Sequence, residues 1–347
     1  MQQRIKPNRV GTSLSKKLAQ TACLLTLSGL AVQPVAAEEF ILSQSYPTDH
    51  IFHMTAEKFV ENLKATDSSY TPDYHSGGDL GSWEAQFEQA MEGVIPMTLT
   101  YGASEFDERL DLSWLGYVVD NWDQAKKFYG PNGEMLDIYN EIYHDIGLHA
   151  LGIVPTGFGS IAIRKGVGKV PVNYPEDGKG IKMRTATVQI GVDRFNDLGF
   201  AAVPIPYGEL YTSLQLGVID ARATAPAVEI WQMRDVLETY ILTKDYFEQA
   251  FFLVNKDWWD DLPDAERAKF QQAADKTMAW VWKEAQSIDQ GYLDKVKQAG
   301  IEVVELNDVQ QDKAKSIIYK NEWPKMERLV GPKIMAKIYQ MTGIDKK

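Results

Sequence analysis

An arginine stands where the chain changes from a strand pattern to a helix pattern. Residues 180–184 read GIKMR, in which apolar and polar residues alternate as in a short strand, and helical apolar spacing follows from Val188. Ligands of open α/β folds bind at the carboxyl ends of strands. A guanidinium group at Arg184 could therefore hold a carboxylate through two parallel hydrogen bonds. The alternative is an internal ion pair with one of the many acidic residues.

A second stretch downstream has the pattern of a strand end, a short helix and a new strand. Residues 204–220 read PIPYGELYTSLQLGVID, and Gly217 stands where a helix-terminating glycine is expected. Glu209 falls in the first helical turn, where the helix dipole favours an acid. Tyr207 precedes that helix, and it either lines a ligand site or packs in the core.

Few residues mark a catalytic or metal site. Of the five histidines, His50 and His53 can share a helix face, but no third ligand lies at a recognisable spacing. The chain has no G-x-x-x-x-G-K-[ST] phosphate loop and no G-x-S-x-G elbow, and the GVG at residues 166–168 lacks the third glycine of a dinucleotide turn. We predict no cofactor and no metal. Because Asp and Glu are plentiful, a catalytic pair of carboxylates stays open at this point.

The first 37 residues have the composition of a cleavable secretory signal. Five basic residues precede a mostly apolar stretch over residues 18–32, and small residues at 35–37 offer a cleavage site. An uncleaved anchor is the alternative. The only cysteine, Cys23, falls in this segment, so the mature chain would form no disulfide. It would carry 31 Lys and Arg against 48 Asp and Glu, a balance of −17, which argues against a nucleic-acid or anionic-membrane partner.

The elements that must position these residues alternate between strand and helix. The patterns predict a helix over residues 49–64 that begins at an N-cap Asp49, and another over residues 82–91. They predict strands near residues 40–43, 70–75, 94–99, 148–154, 159–164, 181–184, 201–204, 218–221 and 251–254. This alternation predicts an α/β fold with a largely parallel sheet. Residues 263–299 predict one long helix, with a coiled coil as the alternative.

These segments together resemble the solute-binding proteins of the tripartite ATP-independent periplasmic (TRAP) transporters. Residues 180–184 resemble the family's GLKIR segment, and residues 208–220 are similar to its sEvYtALqtGvvDG stretch. Residues 75–81, HSGGDLG, resemble its ypggqLG turn, and residues 259–263, WDDLP, resemble the start of its long helix. The matches follow in order through nearly the whole mature chain.

The resemblance implies an α/β periplasmic binding protein fold of two lobes, with a ligand cleft between them and a long helix spanning both. We expect a signal peptide over residues 1–37, lobe I over 38–160, lobe II over 161–250, a return to lobe I over 251–306 and C-terminal helices over 307–347. Family members catalyse nothing. They capture a small organic anion, most often a carboxylate, and deliver it to a permease of one small and one large membrane subunit. We therefore expect a periplasmic monomer.

The resemblance also implies a ligand site. The arginine of the GLKIR segment clamps the ligand carboxylate, and Arg184 holds that position here. We predict that six further residues line the cleft, three beside Arg184 and three from lobe I: Tyr207, Thr187 and Thr224, and Tyr46, Asp49 and Tyr101.

Two departures from the family pattern leave the charge of the ligand open. The family's DGQEN is DARAT at residues 220–224, so Thr224 takes the place of an asparagine that faces the ligand. Arg222 lies on the same strand face and is either a ligand contact or part of a hinge or surface ion pair. If it faces the cleft, two cations would favour a sulfonate or another dianion. Some members carry a further arginine before the GLKIR segment, for which Arg164 is a candidate; a register through the glycines puts Gly159 there instead.

Two other functions are compatible with such a chain. A two-lobed binding protein can serve an ATP-driven (ABC) importer or a sensor kinase, and neighbouring genes would separate these from a TRAP transporter. A secreted enzyme on the same scaffold would release a product when incubated with its ligand.

Overall fold

The computed structural model describes residues 38–344, so the predicted signal peptide and Cys23 lie outside the described part. These residues form one sheet with helices packed around it. The strands are β1 (Glu38–Gln44), β2 (Tyr70–His75), β3 (Met97–Thr100), β4 (Leu148–Arg164), β5 (Lys182–Thr185), β6 (Ala201–Pro204), β7 (Ala221–Ala225), β8 (Leu237–Asn255) and β9 (Glu302–Glu305). No helix within residues 38–344 is long and apolar enough to cross a membrane.

The helices lie between and after these strands, as the alternating pattern predicts. They are α1 (Ile51–Lys64), α2 (Trp83–Met91), α3 (Trp122–Tyr129), α4 (Met135–Tyr143), α5 (Gln189–Asp197), α6 (Tyr207–Gln215), α7 (Ala227–Gln232), α8 (Lys256–Asp261), α9 (Asp264–Gln298), α10 (Asp308–Asn321) and α11 (Trp323–Thr342). Short 3-10 helices cover Glu108–Trp114, His144–Ile146 and Glu176–Gly178.

The sheet consists of two parallel blocks joined by an antiparallel pair. Its order is β2-β1-β3-β8-β4-β7-β5-β6, with β9 beside β8. In the first block β1 runs parallel to β2 and β3, and in the second β5 runs parallel to β6 and β7. The strands β4 and β8 are antiparallel to each other and to their outer neighbours. The α/β prediction is therefore confirmed, with a mixed sheet where a largely parallel one was expected.

The strands β4 and β8 are much longer than the sequence patterns predict. They contain 17 and 19 residues and pair from one block of the sheet to the other. The predicted strands 148–154 and 159–164 are one strand. Its register against β8 shifts four times, and the first three shifts lie next to glycines. The predicted domain limits after residues 160 and 250 both fall inside these continuous strands.

The predicted long helix is confirmed as α9, which contains 35 residues. It packs within the chain against α1, β4 and α7, so the coiled-coil alternative does not apply. A glycine in β4 allows this close approach, because a β-carbon at Gly152 would lie 2.4 Å from Met278 Sδ on the helix. The helix braces both ends of the long strand pair.

The predicted N-cap of α1 was wrong by one residue. The helix begins at Ile51, and the Nδ1 atom of His50 accepts a hydrogen bond of 3.3 Å from the Phe52 amide. His50 is buried, and burial lowers its pKa to about 3, so the ring is neutral and free to accept.

Candidate functional site

A small pocket lies where the carboxyl ends of β5 and β7 meet the segments that follow β1 and β3. Twelve residues line it: Tyr46, Trp83, Tyr101, Trp114, Arg184, Ala186, Tyr207, Arg222, Thr224, Glu229, Tyr246 and Glu248. Both blocks of the sheet contribute, and Tyr246 and Glu248 come from the connecting strand β8. The set contains two arginines, two glutamates and six aromatic rings.

Arg184 is buried in this pocket with its charge unpaired. Its side chain is 4 % exposed, and its Nε atom donates to the Ile205 carbonyl at 2.9 Å. Within residues 38–344 its two terminal nitrogens have no hydrogen-bond partner and no acidic group forms an ion pair with it. Burial and the neighbouring Arg222 lower its pKa to about 10, so the group stays cationic at neutral pH. The internal ion pair considered from the sequence is not formed in this part of the chain.

Arg222 also faces the pocket, but its charge is neutralised inside the protein. It lies beside Arg184 in the register of β5 and β7, and it is 1 % exposed. Its Nη2 atom forms an ion pair with Glu229 of α7, and Nη1 contacts Met233 Sδ at 3.4 Å. Arg222 is therefore both a pocket residue and half of a buried ion pair. With Arg222 paired to Glu229, the described part of the pocket does not offer the two free cations that would favour a dianion or a sulfonate.

Thr224 lies in an irregular part of β7. Ser160 of β4 pairs with Ala225, but Ala162 pairs with Arg222, so β7 holds one extra residue between these pairs. Thr224 lies in this bulge with a φ of 52°, a conformation that is strained for a β-branched side chain. Alternate residues of a strand share a face, and Arg222 and Thr224 both line the pocket although Thr224 lies in the bulge.

Aromatic rings from three parts of the chain form the pocket walls. The Tyr46 ring lies 5.2 Å from the ring of Tyr207, which joins the two sides of the pocket. The Trp114 and Tyr246 rings are stacked at 5.7 Å, and Tyr101 meets Trp83 edge-on. Burial raises the pKa of Tyr46, Tyr101 and Tyr246 well above the usual range, so their hydroxyl groups are neutral donors.

Glu248 is a buried carboxyl group held by two of these tyrosines. The Tyr101 hydroxyl donates to its Oε1 atom, and the Tyr246 hydroxyl donates to Oε2 at 2.9 Å. The residue is 3 % exposed and forms no ion pair with any group in residues 38–344. Burial and the negative charge of Glu229 raise its pKa to about 8.

A buried ion cluster supports the Trp114 wall from behind. Arg194 of α5 forms ion pairs with Glu322 at 2.7 Å and with Asp245 at 3.4 Å, and it also donates to the Trp114 carbonyl. Glu322 accepts a further bond of 2.6 Å from the Gly116 amide. The cluster ties the second block of the sheet and the C-terminal helices to one wall of the pocket.

Three predicted site residues lie outside the pocket lining. Thr187 is exposed and lines an outer depression that shares Tyr46 and Tyr207 with the pocket, so it lies at the mouth. Asp49 instead accepts two hydrogen bonds away from the pocket. Its side chain accepts one of 2.9 Å from the Gln232 amide, and its backbone carbonyl accepts one of 2.6 Å from the Tyr292 hydroxyl.

Arg164 is the third of these residues, and Gly159 does not substitute for it. The Arg164 Nε atom donates to the Ile219 carbonyl at 3.1 Å, near the start of β7. A β-carbon at Gly159 would lie 2.1 Å from the ring of Tyr246, so the tyrosine fills the space that a side chain there would need. The second pocket arginine is Arg222.

A second depression on the other side of β4 does not suit an anion. Four acidic residues and one cation contribute to its lining: Asp120, Asp123, Asp289, Glu305 and Lys244. Burial raises the pKa of Asp289 there to about 7. No group of three or more possible metal ligands is present within residues 38–344.

Comparison with known proteins decides the family. The family model for bacterial extracellular solute-binding proteins, family 7, matches residues 42–327. The chain belongs to this family. A solute-binding protein of Chromohalobacter salexigens is 32% identical in an alignment of 339 positions that covers 92% of each protein. The ectoine-binding periplasmic protein TeaA of Halomonas elongata is 22% identical over 299 residues, covering 84% of this chain and 81% of TeaA.

A solved structure shows the same fold. The sugar acid binding protein DctPAm of Advenella mimigardefordensis, in complex with galactonate, superposes with a TM-score of 0.80 at 20% identity, covering 88% of this chain and 98% of that protein. The predictions of a TRAP solute-binding protein and of a two-lobed fold are confirmed. Proteins of family 7 are the binding subunits of transporters, so this family-7 protein is not an enzyme.

Several pocket residues are not among those that the sequence predicts. Trp83, Trp114, Glu229, Tyr246 and Glu248 line the pocket but stand in no motif that resembles the family. One signal was available for Glu248, because it stands just before the apolar run of residues 250–254, and acidic residues are seldom fully buried unless they are paired. The short spacing from Arg222 to Glu229 gives no comparable signal, because only the turn into α7 brings them together.

Proposed function

We propose that this family-7 protein binds a small organic carboxylate in the pocket around Arg184. The observation that carries the proposal is a buried guanidinium group whose terminal nitrogens are unpaired in the described residues, at the carboxyl end of a parallel strand. A carboxylate would accept two charge-assisted hydrogen bonds from such a fork.

The other predicted pocket residues would position the rest of the ligand. Tyr207 and Thr224 lie on the Arg184 side, and Tyr46 and Tyr101 lie opposite. Thr187 would act at the mouth, whereas Asp49 and Arg164 would hold the surrounding structure. Two of the relatives support a carboxylate, because ectoine and galactonate, named for TeaA and DctPAm, are both small carboxylic acids.

The cellular setting is part of the same proposal. We infer that residues 1–37 are a cleaved signal peptide and that the mature protein acts as a monomer in the periplasm. It would deliver its ligand to the small and large membrane subunits of a TRAP permease. Co-purification with these two subunits after reconstitution in liposomes tests the partnership. Uptake of the ligand by liposomes that lack the two subunits would contradict it.

Calorimetry on Arg184→Ala tests the clamp. A thermal-shift screen of small carboxylates, including ectoine and galactonate, selects the probe that stabilises the wild type most. Charge-assisted hydrogen bonds contribute about 1.5–3 kcal/mol each, so losing both arms should weaken binding roughly a hundredfold to ten-thousandfold. Arg328→Ala, at an exposed position on α11, is the matched control and should bind like the wild type. Nearly equal affinities for the two variants would contradict the clamp.

A further inference from the structure

The charges in the pocket do not match those of a plain anion site. Arg222 and Glu229 neutralise each other in a buried ion pair. Among residues 38–344, Arg184 and Glu248 each lack a partner of opposite charge, although only 4 % and 3 % of their surfaces are exposed. The pocket therefore offers one free cationic group and one free carboxyl group to whatever binds there.

Glu248 is positioned to contact a ligand. It lines the pocket, and each of its oxygens accepts one tyrosine hydroxyl, from Tyr101 and from Tyr246. A carboxylate has about four lone-pair sites and donates nothing, so acceptor capacity is left over on both oxygens. The two tyrosines fix the orientation of the group but bring no charge to balance it.

The walls around Glu248 favour a positive group. Six aromatic rings line the pocket, and the faces of tyrosine and tryptophan rings attract cations. A ligand that fills this space with a second negative charge would meet Glu229 and Glu248. A ligand with a positive nitrogen would meet a carboxylate and ring faces.

We propose, building on the carboxylate function above, that the ligand is a compact zwitterion: an acid that also carries a positively charged nitrogen. Its carboxylate lies on Arg184, and its nitrogen faces Glu248 between the aromatic rings. Glu248 is then the residue that selects zwitterions over plain acids of the same shape.

If Glu248 selects zwitterions, binding should change its protonation, and that change can be measured. Without a positive partner, burial and Glu229 hold its pKa near 8, so much of the group is protonated at pH 7. The charged groups that face it are Arg222 and Glu229, and Glu229 has the larger effect on its pKa. The hydroxyl groups of Tyr101 and Tyr246 are neutral. A cationic nitrogen beside it would lower that pKa and release a proton into the buffer.

Matched ligand pairs test the proposal on the wild-type protein. Glycine betaine and 3,3-dimethylbutanoate have the same shape and differ only in a charged nitrogen. Pipecolate with cyclohexanecarboxylate and proline with cyclopentanecarboxylate are further pairs. We expect at least one zwitterion to bind tenfold or more tightly than its partner. Calorimetry in buffers of different ionisation enthalpy should show that its binding releases protons. The proposal is overturned if no zwitterion in the panel binds more tightly than its partner.

The variant Glu248→Gln tests whether Glu248 is the residue that distinguishes zwitterions from plain acids. Glutamine keeps the shape and loses the charge, so the preference within the best pair should fall at least tenfold and the proton release should disappear. Glu88→Gln, at an exposed position on α2, is the matched control and should keep both. An unchanged preference in Glu248→Gln, with a normal circular dichroism spectrum, overturns the role of Glu248.

The two proposals fail in different ways. If Arg184→Ala leaves the affinity for every acid unchanged, the carboxylate clamp fails, whatever the pairs show. If plain acids bind as tightly as zwitterions and Arg184→Ala abolishes both, the clamp stands and the zwitterion proposal falls.

Discussion

Burial has opposite consequences for the charges of Arg184 and Glu248. The pKa of the arginine falls to about 10, which leaves it charged at neutral pH, while the pKa of the glutamate rises to about 8. The same desolvation thus keeps a cation available and keeps most of the carboxyl protonated until a positive partner arrives. Arg184 is therefore charged before a carboxylate binds. Most of the Glu248 carboxyl loses its proton only when a positively charged ligand binds beside it.

This difference predicts a dependence of stability on pH. From about pH 4.5 to pH 8 the unfolded chain has released the Glu248 proton and the folded chain retains it, so the free energy of unfolding falls as pH rises. Glutamine does not titrate. The ligand-free wild type should therefore lose roughly 3–4 kcal/mol relative to Glu248→Gln between pH 5 and pH 8.

Urea unfolding of both proteins at the two pH values measures that change. Other titrating groups are common to both chains and cancel in the difference. A stability difference that is constant across this range would show that Glu248 titrates in the folded protein as it does in the unfolded chain.

The sequence predicted the arginine at the centre of the site but not which charges of the pocket neutralise each other. Arg184, Tyr207 and Thr224 stand in segments with a recognisable spacing, so their positions could be read from one chain. The partner of Arg222 could not, because the bulge in β7 and the turn into α7 decide which carboxylate reaches it. Neutralisation of a buried charge depends on such tertiary contacts.

At the scale of elements, glycines in β4 set how closely its neighbours approach. Gly152 admits Met278 of α9, and Gly159 admits the ring of Tyr246. Sequence periodicity predicted α9 well, because one helix face is apolar along its whole length. It predicted β4 as two pieces, because the residues between them, with Pro155 and Gly157, match a turn pattern.

Gly159→Ala should damage the pocket from within the sheet. Its β-carbon would lie 2.1 and 2.3 Å from two ring atoms of Tyr246, which is fixed between Trp114 and Glu248. Overpacking of this kind costs roughly 1–3 kcal/mol, and a displaced Tyr246 should also weaken ligand binding.

Gly191→Ala is the control for that substitution. Gly191 lies in α5 with no atom within 4 Å of the new β-carbon, so alanine there should be neutral or stabilising. Thermal unfolding and calorimetry compare the two variants. Equal melting temperatures and affinities would show that Tyr246 can move without consequence.

At the scale of the whole molecule, the ligand can reach Arg184 only if the two sides of the pocket separate. Arg184 is 4 % exposed, and the rings of Tyr46 and Tyr207 meet across the pocket. The two sides are connected through β4 and β8, so bending of this strand pair is the motion that the fold allows.

Spin labels across the mouth test this motion. Because Cys23 is the only cysteine in the sequence, a chain without residues 1–37 can be labelled at Glu105→Cys and Glu209→Cys alone. Both positions are exposed, one on each side of the mouth. We expect the distance distribution to shift to shorter values, and to narrow, when the selected ligand is added.

Labels at Glu88→Cys and Glu105→Cys, both on the first side, form the control pair. Their separation should not respond to ligand. If the mouth pair also stays unchanged while calorimetry confirms binding, the ligand enters without a hinge motion.

The continuous strands β4 and β8 also govern how the protein unfolds. β8 pairs with β3 of the first block, β4 pairs with β7 of the second, and the two long strands pair with each other, so neither block keeps a complete edge once the other melts. Two lobes built this way share one cooperative transition in place of two independent ones. A ligand held by a few side chains in the pocket therefore raises the melting temperature of the entire chain, and a single thermal scan reports on binding.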